Sequence, residues 1–99
     1  MLTREDILQY LGDNKSAFFA DFQLVKLGLF GSFAKGEATD NSDIDILVEF
    51  EPGTENLVDK KAGIKNKLQQ RFNREVDICR EKYIKAYFKS RILNSAIYV

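Results

Sequence analysis

Three aspartates and a Gly-Ser pair carry the chemistry open to this 99-residue chain. Asp43 and Asp45 begin an apolar run, Asp43-Ile44-Asp45-Ile46-Leu47-Val48. On a strand, that spacing points both carboxylates to one face, with Cα atoms roughly 6–7 Å apart. Ionised together they repel by on the order of 2–3 kcal/mol at an effective dielectric of about 20. Folding gains nothing from that repulsion, and a divalent cation between them removes it. Magnesium suits such a site, because it takes few carboxylates and keeps positions open for water and substrate phosphates. Asp77 interrupts a second apolar run, Val76-Asp77-Ile78. If the two runs are neighbouring strands, about 4.8 Å apart, Asp77 completes a three-carboxylate cluster of the kind that holds two metals in phosphoryl and nucleotidyl transfer. One ion would bind the triphosphate and the other would lower the pKa of an attacking hydroxyl. The third carboxylate could accept its proton. Gly31 lets the backbone approach a ligand closely. Ser32 offers a hydroxyl and is expected to cap the next helical turn, whose free N–H groups bind phosphate oxygens. Lys35, or a lysine of the second half, could add a point charge to the phosphates.

The elements that must position these groups follow from the hydrophobic pattern. Thr3-Arg4-Glu5-Asp6 reads as a capped helix start with acids in the first turn. Gly12-Asp13-Asn14 should break that helix, and Ser16 to Phe22 should form a second one with Ala17, Phe18 and Phe22 inward. Gln23 to Phe30 suits a strand buried on both faces. Asp43 to Phe50 suits another, with Ile44, Ile46 and Val48 on one face and Asp43, Asp45 and Leu47 on the other. After the Glu51-Pro52-Gly53 turn, Leu57, Ile64, Leu68 and Phe72 predict a helix over Asn56 to Arg71, with Lys60, Lys67 and Arg74 on its outer side. Glu75 to Cys79 reads as a third strand. Ile84, Tyr87, Phe88 and Ile92 mark a last amphipathic helix, and Ala96 to Val99 can add a terminal strand. The order predicts a single small α/β (α+β) domain over residues 1–99, a short mixed sheet flanked by helices.

Each piece also has a plainer reading. Gly-Ser can be an ordinary turn, and Asp43 and Asp45 an exposed strand start. Asp77 can pair with Arg80, Ser42 can support the preceding turn, and Lys35 can be a solvated loop residue. The phenylalanines at helical spacing read as core. One substrate geometry, however, accounts for the acids, the glycine and the serine together.

Composition narrows the classes. The eight phenylalanines and the 44% apolar content support a packed core, and a chain of this size buries roughly 60–65% of its unfolded surface. No apolar stretch approaches the ~20 residues of a membrane span, and no secretion signal opens the chain. A single cysteine, Cys79, allows no internal disulfide, and the absence of histidine excludes a Cys/His zinc site. A cytoplasmic location is expected. The formal net charge is zero, so direct nucleic-acid binding is not expected. The halves differ: residues 1–50 carry four Lys/Arg against nine Asp/Glu, and residues 51–99 carry eleven against six. An acidic metal site beside a basic surface fits that asymmetry, as do solvated basic helix faces.

Gly31-Ser32, followed after ten residues by Asp43-Ile44-Asp45, resembles the signature of the polymerase-beta-like nucleotidyltransferase superfamily. The strings Phe30 to Ala38 and Ser42 to Phe50 are similar to those of its minimal, MNT-type members, often encoded beside a HEPN-domain protein. Val76-Asp77-Ile78 fits the family's third carboxylate, and Arg91 to Val99 resembles its ending. The resemblance implies catalytic and metal-binding roles for Asp43, Asp45 and Asp77, with two Mg2+ ions, and nucleotide binding at Gly31, Ser32 and Lys35. Family members often carry arginine in the loop where this chain has Phe33 and Lys35; lysine keeps the charge and loses the bidentate fork. The implied activity is transfer of AMP from ATP to a hydroxyl of a HEPN toxin, with the chain as its antitoxin. The alternatives are an antitoxin acting by contact alone and a stand-alone transferase acting on RNA or a small molecule.

Overall fold

The computed structural model describes residues 1–84, 92 and 94–99. Thr3 caps helix α1 (Arg4–Asp13): its hydroxyl accepts from the Asp6 N–H, and the Asp6 carboxylate accepts from the Thr3 N–H. The Thr3 backbone and side chain hold the Asp6 carboxyl below its ordinary range. Asn14 ends α1 and opens α2 (Lys15–Phe22). Phe18 is fully buried in α2, whereas Ala17, expected inward, is exposed. One aromatic per turn fills the space there, with Phe22 beside it (ring centroids 5.8 Å apart).

Strand β1 (Leu24–Phe30) leads directly into α3 (Gly31–Lys35), and strand β2 (Ile44–Phe50) follows an eight-residue loop. After α4 (Leu57–Phe72) come β3 (Val76–Arg80), a 3-10 turn (Glu81–Tyr83) and the short strand β4 (Ile97–Tyr98). The sheet order is β3-β2-β1-β4. β2 and β3 run parallel, while β1 runs antiparallel to β2 and β4. The expected short mixed sheet flanked by helices is therefore what the chain forms. β1 differs from the expectation at its start, where Val25 and Lys26 are exposed. A register shift between Leu24 and Lys26 interrupts the alternation there, so Leu24 stays in the core while Val25 and Lys26 face solvent.

Alternation decides which face is which. Leu27, Leu29, Ile44, Ile46, Val48 and Val76 pack with Ile7, Leu11, Phe18, Ile64 and Leu68 in one core. The intervening residues of β2 and β3, Asp45, Leu47, Asp77 and Cys79, point to the other face. Lys60 and Lys67 are half-buried on α4 rather than solvated. Lys60 donates to the Glu55 carbonyl (2.7 Å), and Lys67 lies over the Phe18 ring (5.1 Å). The last amphipathic helix, over Tyr87 and Phe88, lies outside the described residues, as do positions 91 and 93 of the Arg91–Val99 ending.

Candidate active site

Parallel pairing of β2 with β3 sets the acids. Asp45 and Asp77 are register partners, flanked by the Ile44–Val76 and Ile46–Ile78 pairs. Their side chains therefore leave the sheet side by side on the face away from the main core. Asp43 is exposed immediately before β2. Asp45 is half-buried, and its carboxyl is pushed up to about 6, first by burial and then by the negative charges of Asp77 and Asp43. Asp45 thus senses the charge of both other aspartates.

Gly31 closes the site from the β1 side. Its φ is +73°, a conformation that favours glycine, and a Cβ there would overlap the Asp45 Oδ2 and sit 3.0 Å from its Cγ. The glycine is thus required both by the turn from strand to helix and by the adjacent carboxylate. Ser32 does not cap α3. Phe30 occupies the cap position without a side-chain bond, and Ser32 lies within the helix, its carbonyl accepting from the Glu37 N–H (2.9 Å). Because the strand runs straight into the helix, the capping position falls one residue before the Gly-Ser pair.

The loop before Asp43 is pinned from a distance. The Ser42 hydroxyl accepts from the Thr39 N–H (2.8 Å), supporting the turn as expected. Arg74 donates to the carbonyls of Thr39 (3.1 Å) and Ser42 (2.9 Å), and its guanidinium lies 5.3 Å from the Phe33 ring centroid. It follows the end of α4 and does not line its outer face. An Arg74→Ala variant should lose about 1–3 kcal/mol of stability in urea unfolding. Arg74→Lys should recover only part of it, because one ammonium cannot reproduce the planar guanidinium; full recovery would show that charge alone holds the loop.

Asp77 makes no pair with Arg80. Arg80 bonds the Glu49 carboxylate instead (3.0 Å), and Glu49 also accepts from the Lys82 N–H (2.8 Å). Burial opposes ionisation of Glu49, but these donors outweigh it and hold its carboxyl below the ordinary range. Asp77 stays exposed at the sheet's β3 edge.

A cleft of about 520 Å³ opens over the acids, lined by Phe30, Asp45, Lys61, Ala62, Lys65, Asp77, Ile78 and Cys79. Burial, with the charges of Asp45 and Asp77, pushes the Cys79 thiol up, so it is a poor nucleophile. Lys35, exposed at the end of α3, is not among the lining residues. Lys61 and Lys65 were not singled out from the sequence. Their signal is spacing: one helical turn apart, they flank the apolar stripe of Leu57, Ile64 and Leu68.

Among the described residues, no three His, Cys, Asp or Glu side chains already converge as a metal-binding group. The donor chemistry nonetheless fits a hard cation. Asp43, Asp45 and Asp77 offer oxygen ligands only, and their mutual repulsion is what a divalent ion would relieve.

Paired strand acids thus face a strand-to-helix glycine turn on a short mixed sheet. The chain belongs to the nucleotidyltransferase domain family, whose pattern matches residues 13–99. Among its relatives is the protein adenylyltransferase MntA of Thermococcus cleftensis, 32% identical over 99 residues, which span all of this chain and 98% of the relative. A solved structure provisionally described as a minimal nucleotidyltransferase superposes with a TM-score of 0.78 at 30% identity, covering 97% of this chain and 95% of that one. A toxin–antitoxin crystal structure with AMP-PNP shares the fold, with a TM-score of 0.66 at 22% identity over 87% of this chain and 69% of that one.

Proposed function

We propose that this chain is a magnesium-dependent protein adenylyltransferase of the cytoplasm, an antitoxin that transfers AMP from ATP to a hydroxyl of a HEPN-class toxin. The observation that carries the reading is the register pairing of Asp45 with Asp77, with Asp43 at the mouth of β2. The name of the Thermococcus relative supports the choice of a protein acceptor. The fold shared with a toxin–antitoxin complex holding AMP-PNP supports an ATP substrate and a toxin partner.

Asp43, Asp45 and Asp77 would hold the magnesium, which when bound supplies charge stabilisation to the triphosphate and to the attacking oxygen. Gly31 leaves room for the Asp45 carboxylate beside the turn, and the Ser32 hydroxyl would be available to a phosphate oxygen. Asp45, half-buried beside the Gly31 turn, would hold the cation side of the magnesium triphosphate. Asp77, exposed on the edge strand, is open to the acceptor and takes the hydroxyl proton. The acceptor oxygen bonds to the α-phosphorus, the bond from that phosphorus to the bridging oxygen breaks, and pyrophosphate leaves.

The test is transfer of label from α-labelled ATP to the HEPN partner. Label should appear in the partner with magnesium and vanish when EDTA removes it. Neutralisation of the toxin by an intact complex without transferred label would make the chain a contact antitoxin instead. Label on RNA or a small molecule, with the toxin unmodified, would move the acceptor.

A further inference from the structure

Lys61 and Lys65 share the cleft with Asp45 and Asp77, yet neither forms an ion pair with an acid among the described residues. Both are half-buried on α4. The adjacent lysines of the helix have partners within the fold: Lys60 bonds the Glu55 carbonyl, and Lys67 covers the Phe18 ring. Like charges one turn apart repel and cost the helix a few tenths of a kcal/mol, so folding has no use for this pair. Ala62 lines the cleft beside them with a side chain too short to fill it.

The cleft therefore holds two unneutralised charge sets. One is the aspartate cluster at the ends of β2 and β3. The other is the lysine pair, which reaches the cleft from α4. They share one space without touching. A magnesium polyphosphate is complementary to both, with its cation toward the carboxylates and its outer oxygens toward the ammonium groups. Helical rise separates the two lysines by about 6 Å along the axis, so they can engage different phosphates of one chain. Lysine suits this task as a point charge on a flexible stem that needs no fixed fork geometry.

We propose that Lys61 and Lys65 bind the polyphosphate of the nucleotide, the role that the sequence reading left to Lys35 or a lysine of the second half. The inference rests on the proposed nucleotidyltransferase function and assigns the cationic half of its substrate site. It identifies the ligand as a nucleoside triphosphate recognised chiefly through its phosphates.

Titration calorimetry of the full chain with ATP and with AMP, each in magnesium, tests it. Each Lys→Gln change should weaken ATP binding about tenfold, and the Lys61→Gln/Lys65→Gln double variant on the order of a hundredfold. AMP binding should change by less than about threefold, because it lacks the outer phosphates that the lysines hold. A Lys61→Arg/Lys65→Arg variant should restore most of the ATP affinity, and Lys35→Gln should leave it within about threefold. A melting curve on each variant separates lost binding from lost fold, and the arginine variant keeps charge and stem if the glutamine pair fails to fold. Equal weakening of ATP and AMP would overturn the proposal, as would a Lys35→Gln loss matching that of the double variant. If the unaltered chain binds ATP and the glutamine pair retains that affinity, the lysine assignment fails while the transferase reading stands. If the unaltered chain binds no nucleoside triphosphate, both fail.

Discussion

At pH 8, without divalent cations, an Asp45→Asn variant melts above the parent chain, and in magnesium it transfers AMP far more slowly than the parent. The stability gain follows from the environment of the carboxyl. Burial first, then Asp77 and Asp43, push it from 3.8 to about 6. The folded chain thus holds this proton more tightly than the unfolded chain. The stability this lends is fully present below pH 3.8 and is lost as pH rises through about 6. At pH 8 the parent carries an ionised Asp45 against two other acids, and asparagine removes that charge at nearly the same volume. Asp45 is only half-buried, so solvent screening leaves about 1 kcal/mol of the effect, equivalent to about 4–8 °C in a chain of this length. Melting curves by circular dichroism from pH 4 to 8 should show the gap between the two proteins opening with pH. A gap that is constant with pH, or of opposite sign at pH 8, would count against the charge cluster. Millimolar MgCl2 should raise the melting temperature of the parent and barely move the variant, because an ion that binds only the folded state stabilises it by mass action. Transfer should fall by at least about a thousandfold in the same variant, since the lost carboxylate would hold the cation that stabilises charge at the reacting phosphate. Under the proposed function, the residue that destabilises the fold is the one the chemistry needs.

That opposition is why the site was legible in the sequence. Acids inside the apolar runs Asp43–Phe50 and Val76–Arg80 break the local hydrophobic pattern, and period-two alternation is enough to place them on one face. The strand pairing could only be assumed, but parallel registry of Ile44 with Val76 and Ile46 with Ile78 delivered Asp45 to Asp77. What stayed hidden depends on contacts distant in the chain. Arg74 binds carbonyls 35 and 32 residues away, and no helical periodicity announces that. Lys61 and Lys65 look like any solvated lysines until α4 is docked on the sheet. Ala17 was misplaced because helical spacing identifies a stripe but not its width, and Phe18, with Phe22 beside it, filled that part of the core. Ser32 looked like a cap because Ser is a strong capping residue, but Phe30 takes the cap position and the helix starts at Gly31, two residues earlier than a Ser32 cap would place it. The sequence marked Gly31 as a close-approach residue. Only the fold shows that what approaches it is the Asp45 carboxylate.

Gly31→Ala should therefore disable the enzyme while leaving the chain folded, and Gly36→Ala separates the two reasons. Both glycines have φ +73°, so alanine strains the backbone equally at each, by about 1–2 kcal/mol. Their surroundings differ. At Gly36 the nearest atom to a new Cβ is the Arg4 Nη1 at 4.0 Å. At Gly31 the Cβ would overlap the Asp45 Oδ2, with the Asp45 Cβ only 3.2 Å away, so the carboxylate must rotate or β1 and β2 must part. Those strands are paired through Phe30 and Asp45 themselves, which leaves rotation of the carboxylate as the cheaper response. Displacing a reacting-site group by about 1 Å costs on the order of a hundredfold in rate. AMP transfer should fall by about that factor in Gly31→Ala and by less than about threefold in Gly36→Ala, although their melting temperatures drop by similar amounts. The transfer ratio between the two variants isolates the Gly31–Asp45 contact from the backbone term they share. Equal losses of activity would mean that only the turn conformation matters. Full activity in Gly31→Ala would mean that the Asp45 carboxylate works from another position than the one it holds against β1.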